Sequence, residues 1–438
     1  MKTEYLKKNF FNWTLTILAA ASPLASASAT GPELSYKASG IATVELRHES
    51  VQDRREVTVP GCVVCTLGAA ENLILSFDAI GGSTESLYYS FAHFNADWQQ
   101  SDLMEMEFVD GINKVYGAES TSLSFNTTTA FLHYEMTIDT SPIKASGNYM
   151  VEVRRTTDDA LLVREPFWMS EELCGIASRV EREESEQAVS LTVKWPRHGL
   201  SSPETQLMVY VWQNKRTDDM RLAEAPTFFR PDEIVYQDLS ELRFCGGREW
   251  RWLDVRSIRL PGISDTRAEF VSGIYHFTQA MDEPARAYSY REDFNGGAWI
   301  ETRDRRDGEA DEVADYAIAH FTLAAEDPTL LETSDVYVIG DATGWTPSPA
   351  NRLTPDATDL TFKGQHIVKQ GLHNYLYVAQ KKKRKRDAPQ MTDTEGCFGA
   401  TENDYYIAVY SRRPGETYDH LVAVKRHNTL KTLNAFIM

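Results

Sequence analysis

Val189-Ser190-Leu191-Thr192-Val193-Lys194-Trp195 alternates apolar and polar residues along its whole length. A period of two puts Val189, Leu191, Val193 and Trp195 on one face of an extended chain and the polar residues on the other, the pattern of a half-buried β-strand. Working outward, Leu132, Tyr134, Met136 and Ile138 alternate with Phe131, His133, Glu135 and Thr137, and Tyr149, Val151 and Val153 alternate with Met150, Glu152 and Arg154. Similar runs recur at 72–78, 86–95, 207–212, 335–339, 374–378 and 405–410. They are rich in Tyr, Val, Phe and Thr, which suit a pleated surface, and Gly, Asn, Asp and Pro punctuate them. No long, capped amphipathic helix competes. The pattern predicts an all-β protein of serial immunoglobulin-like β-sandwich domains with short or no helices.

A chain of 438 residues is long enough for two to four such domains. With 42% hydrophobic and 25% charged residues it is not a disordered chain. The balance of 45 Lys+Arg against 64 Asp+Glu gives a net charge of −19. That argues against nucleic acid as a partner, since phosphate recognition needs a basic surface. Glu165-Pro166-Phe167 reads as the close of a first unit, ahead of the acidic stretch 181–186, and the charged, turn-rich stretch 303–312 reads as a second boundary. The expected division is a 1–29 leader and units at 30–168, 169–312 and 313–438.

The leader has the parts of a secretory signal peptide: Lys2, Lys7 and Lys8, then an apolar run from Phe10 to Leu18, then Ala27-Ser28-Ala29. Cleavage is expected between Ala29 and Thr30, which shifts the net charge to −21. No later run is apolar enough for a spanning helix. Five cysteines are an odd number, so at least one stays unpaired within the chain. Cys62 and Cys65 have a redox spacing but read as lying on a strand, where positions three apart face opposite ways. No zinc-type clustering of Cys or His is visible in the spacing. There is likewise no G-x-S-x-G elbow, P-loop or dinucleotide fingerprint. The expectation is a non-enzyme with no catalytic residue, no cofactor, no bound metal and no small-molecule substrate.

Several longer motifs are more specific. FNADWQQSDL (Phe94–Leu103), DGIN (Asp110–Asn113), SFNTTTAFLHYEMTI (Ser124–Ile138) and SGNYMVEV (Ser146–Val153) follow one another. Together they resemble the N-terminal domain of the plug protein family of the type IX secretion system of Bacteroidetes. FCGGREWRWLDVRS (Phe244–Ser257) resembles that family's F-x-G-G-x-E-x-R-x-F-D segment, with Cys245 and Leu253 as departures. YREDFNGGAWI (Tyr290–Ile300), ADYAIAHFTL (Ala314–Leu323) and TENDYYIAVYSRRPGETYDHLVAV (Thr401–Val424) follow in the family's order. The resemblance implies a periplasmic protein on the inner face of the outer membrane. Its partner would be the giant outer-membrane β-barrel translocon, sealed when no substrate is exported.

Within the first motif, Asn95, Asp97 and Asp102 suit the capping of turn N–H groups, and Trp98 suits a buried corner. A partner contact by this loop is the functional alternative. Asp335–Leu353 followed by Gly371–Val378 resembles an early-set immunoglobulin-like domain, a layout shared with glycogen-binding modules. Trp345 is the candidate glycan contact there, and a periplasmic or surface glycan-binding sandwich is the alternative function. Lys381, Lys382, Lys383, Arg384, Lys385 and Arg386 form a basic run in an acidic chain. It is expected on a long loop, where it suits either a solvated turn or peripheral contact with the anionic inner leaflet or an acidic partner face.

Overall fold

The structure is a computed structural model that describes residues 34–51, 61–117, 119–195, 203–263, 266–305, 307–385 and 387–430. The expected leader and its cleavage position at Ala29 and Thr30 lie outside the described residues, as does Arg386. Within the described chain the expected all-β sandwich architecture is present, with six sheets and only short helical turns.

The first sandwich has one sheet in the order Ile41–His48, Asn72–Ile80, Phe131–Asp139, Glu119–Leu123. Its second sheet is centred on Leu161–Ser170, Gly147–Arg155 and Leu87–Phe94. Two short strands share the outer edge of Leu161–Ser170: Tyr36–Lys37 pairs antiparallel and Val64–Thr66 parallel. Leu75, Phe77, Tyr89, Phe91, Met136, Tyr149, Val151 and Phe167 fill the space between the sheets.

The second sandwich holds the opening stretch: Val189, Leu191, Val193 and Trp195 all enter its core. One sheet runs Gly175–Arg182, Glu186–Lys194, Glu233–Tyr236, Phe228–Arg230, and the facing sheet runs Arg221–Leu222, Leu207–Gln213, Asp404–Ser411, His420–Asn428. The third sandwich sets Arg267–Val271, Ile274–Thr278, Tyr316–Ala324, Thr361–Lys369 and Thr354–Asp356 against Gly371–Lys381 and its neighbours Arg251–Asp254, Ala298–Ile300 and Ser334–Ile339.

These pairings correct the expectation of units in series at 169–312 and 313–438. Leu207–Gln213 pairs along its whole length with Asp404–Ser411. Ile274–Thr278 lies before the expected boundary yet pairs in parallel with Tyr316–Ala324 after it. The third sandwich is therefore inserted into the second. The charged stretch 303–312 marks a surface connection inside one sandwich, and such connections share their composition with true linkers.

Several strands are buried on both faces because the sandwiches stack. In Asp404–Ser411, Tyr405, Ile407 and Val409 point into the second sandwich. Tyr406, Ala408 and Tyr410 point the other way, into a core shared with Met150 and Trp168 of the first. Four sheets thus lie in one stack, two from each sandwich. A strand inside such a stack reads as a continuous apolar run, while one at its surface alternates.

Candidate functional site

Three seams join the sandwiches, and each is built from residues distant in sequence. Between the first and second, Trp98 meets Trp168 edge-on at 5.4 Å, Trp168 stacks on Trp212 at 5.5 Å, and Trp212 stacks on Tyr406 at 5.5 Å. The Tyr410 hydroxyl donates to Asn148 Oδ1 at 2.6 Å, which gives this apolar contact a fixed register.

Between the first and third, Lys369 Nζ lies 2.6 Å from Asp78 Oδ2, with both side chains almost fully buried. Asp78 also accepts from the Tyr316 hydroxyl at 2.6 Å and pairs with His133 Nδ1 at 2.7 Å. The ammonium group lies 4.4 Å from the centre of the Phe131 ring. A carboxylate in this setting is tolerated only because its oxygens are matched by donors.

Near the junction of the second and third, Arg251, on a strand of the third, forks onto Glu395 at 2.7–3.0 Å and reaches Asp282 at 2.8 Å. The hydroxyls of Tyr375 and Tyr377 donate to Asp282 Oδ2. Burial opposes the guanidinium charge, but Glu395 and Asp282 more than offset it and hold its pKa above the usual value. A disulfide joins Cys245, on a second-sandwich strand, to Cys397, in the connection leading back from the third.

The motif Phe244–Ser257 is the crossing point from the second sandwich to the third. Phe244 is in the second core. Gly246 packs so closely on the Phe398 carbonyl that a β-carbon has no room, and Gly247 has φ +66°. Glu249 accepts from the Tyr288 hydroxyl at 2.6 Å, and Asp254 pairs with Arg256 at 2.7 Å. In Tyr290–Ile300, Asp293 accepts from the backbone N–H of Trp250 and of Asn295, and burial pushes its carboxyl up to about 7. In Thr401–Val424, Asn403 and Tyr405 share Gln187 Oε1 as acceptor. These contacts fix the motif residues to the chain around them.

The candidate contact residues divide. Trp98 is buried, with φ +60°. Asn95 Oδ1 accepts from Asp419 N, and its carbonyl accepts from Trp98 N and Asn148 Nδ2. Asp97 caps Gln99 N at 2.9 Å but stays exposed, as does Asp102. Just beyond, Met104, Met106 and Ile112 are 62%, 70% and 83% exposed. Trp345 is half-buried, 5.3 Å edge-on to Trp250, and Lys215 lies over its ring. It borders a crevice of about 500 Å³ between sandwiches, with Lys37, Glu165, Lys215, Asp341 and His366 also on its walls.

The basic run ends a strand and turns tightly rather than lying on an open loop. Gln380 Nε2 donates to the carbonyls of Arg384 and Asp387, and Ala379 pairs with Gln390 beyond the turn. Lys381 pairs with Asp393, Lys382 donates to the Glu332 carbonyl, and Arg384 is 4.0 Å from Asp387. Lys383 and Lys385 are exposed.

The free cysteines are Cys62, Cys65 and Cys174. Cys65 belongs to the first core, whereas Cys62 packs on the opposite side of the sheet against the shared core, and Cys174 lies against the second core. Burial pushes the thiols up, to about 12 for Cys65 and about 11 for Cys174, so neither is a ready nucleophile. Sequence spacing missed one grouping: His48, Cys65 and Glu71 converge from three segments. No motif announces it, because no two of them are neighbours along the chain.

The fold and its seams define a class of protein: a stacked body of three β-sandwiches joined through shared apolar cores and a buried Lys–Asp pair. Within that class, residues 41–171, which span most of the first sandwich, match the family model of the type 9 secretion system plug protein, 1st domain. The family carries a plug-like, structural role in association with the type IX secretion machinery. A crystal structure of a hypothetical protein from Parabacteroides merdae is similar over almost the whole chain. It is 25% identical with a TM-score of 0.81, and the match covers 90% of this chain and 98% of that one. No curated protein matches.

Proposed function

We propose that this chain is the periplasmic plug subunit of the type IX translocon. It docks against the periplasmic side of the giant outer-membrane β-barrel and occludes it while no substrate is being exported. The family match of residues 41–171 carries this reading. The three seams support it in a second way. A plug works by steric exclusion, so it needs a body that keeps its shape, and the buried Lys369–Asp78 pair between sandwiches, the buried Arg251–Glu395 pair and the Cys245–Cys397 disulfide provide one. Displacement requires a partner or cargo that favours the undocked state, because a ligand shifts such an equilibrium only through differential affinity. On the first sandwich, Asp97 and Asp102 beside Met104 and Met106 are the exposed part of the 95–110 loop offered to the barrel.

The test is a pull-down with the tagged mature protein, read by mass spectrometry, together with a deletion strain. The barrel is expected in the pull-down, and the deletion strain is expected to keep an assembled barrel that leaks large antibiotics. Retention on polysaccharide without recovery of the barrel would replace this reading with the glycan-binding one.

A further inference from the structure

We propose that His48, Cys65 and Glu71 form a zinc site that staples the two sheets of the first sandwich. His48 ends the strand Ile41–His48, and Glu71 directly precedes Asn72–Ile80, both in one sheet. Cys65 is the middle residue of Val64–Thr66, which pairs into the other sheet. A ring nitrogen, the Sγ atom and a carboxylate oxygen all lie within 4.8 Å of one another. Tetrahedral zinc with bonds of about 2.0–2.3 Å brings such ligands to about 3.3–3.7 Å apart, a short closure from this arrangement.

The carboxylate is already aimed. Glu71 Oε1 accepts from Thr66 N at 3.0 Å, and Oε2 is 3.1 Å from His48 Nδ1. The Glu71 carbonyl is held by Thr140 Oγ1 at 2.5 Å, which fixes the backbone beneath the side chain. Cys65 forms a fully buried floor, while the side chains of His48 and Glu71 are 25% and 32% exposed. The outer side is thus open to water or a partner's donor as a fourth ligand.

The donor set selects the metal class. Thiolate, imidazole and carboxylate together suit zinc, whereas magnesium and calcium take oxygen ligands. Binding converts the thiol to thiolate and releases its proton to solvent. Without metal, the same three residues form a His–Glu contact above a buried thiol. The proposal does not depend on the plug reading.

The experiment uses the full mature chain after chelator treatment. One equivalent of Zn²⁺ is expected to raise the melting temperature, and Mg²⁺ is not. Co²⁺ is expected to give a thiolate-to-metal charge-transfer band in the near ultraviolet, which Cys65→Ser abolishes. His48→Gln and Glu71→Gln are expected to weaken Zn²⁺ affinity at least about tenfold. They lie at the rim, so they carry the test if Cys65→Ser fails to fold. Absence of the band in the unsubstituted protein, its persistence in Cys65→Ser, or equal affinity in both rim variants would overturn the proposal.

Discussion

Lys369→Met removes the ammonium group that lies 2.6 Å from Asp78 at the seam between the first and third sandwiches. Asp78 is then a buried carboxylate that has lost its full positive partner. Breaking a buried pair from one side costs about 3–5 kcal/mol. Asp78 keeps the Tyr316 hydroxyl at 2.6 Å and His133 Nδ1 at 2.7 Å, so the low end, about 3 kcal/mol, is expected. At about 2–4 °C per kcal/mol for a unit of 150–250 residues, the melting temperature falls by about 6–12 °C. Differential scanning calorimetry measures this. Lys363→Met is the control: Lys363 pairs with Asp356 and Asp359 at the surface, where each pair contributes about 1 kcal/mol or less. The double variant Asp78→Asn/Lys369→Met is expected to recover most of the loss, since it leaves no charge to desolvate. The reasoning is refuted if Lys369→Met loses no more than the control, or if the double variant is less stable than the single.

Three further outcomes are expected. His93 is buried, with Nε2 donating to the Ser146 carbonyl and Nδ1 bonded to Ser101, and burial lowers its pKa from 6.5 to about 4. Its folded value lies below its unfolded one, so its contribution is complete above pH 6.5 and is lost as pH falls towards 4. The gap corresponds to about 3 kcal/mol, and urea titrations at pH 7.5 and 4.5 should differ less in His93→Gln than in the unsubstituted protein. Opening Cys245–Cys397, separated by 152 residues, should cost up to about 5 kcal/mol; an unchanged melting temperature under reductant counts against the bond as a brace. Replacing Lys383, Arg384 and Lys385 by Ser should weaken salt-sensitive binding to anionic vesicles, whereas unchanged binding would make the run a solvated turn only.

The strands were legible because period-two patterning is local. Val189–Trp195 and Leu132–Ile138 keep their apolar residues inward in the structure as the sequence alternation requires. The seams were not legible. Trp168 and Trp212 belong to strands whose two faces meet different cores, and nothing local says which residue faces which sandwich. The inserted order escaped for a related reason: turn-rich composition marks a surface, not the end of a domain. Trp98 was readable as a buried corner, and its position agrees. The partners of Arg251 were not, because Glu395 is 144 residues away and becomes a neighbour only through the fold, beside Tyr377 of the third sandwich.

The strand Asp404–Ser411 sits at the middle of the four-sheet stack yet near the end of the chain. A polypeptide delivered N-terminus first can complete the first sandwich from residues already present, and the third soon after. The second must wait, with Leu207–Gln213 lacking its long partner while nearly two hundred residues pass. During that interval the aromatic faces of Trp168 and Trp212 are open to solvent, and such a surface invites aggregation or a holding chaperone. The last pairing to form is thus the one that hides the stickiest surface. A chain ended at residue 403 is expected to keep protease-resistant first and third sandwiches, lose the second, and bind a hydrophobic dye that the full chain does not.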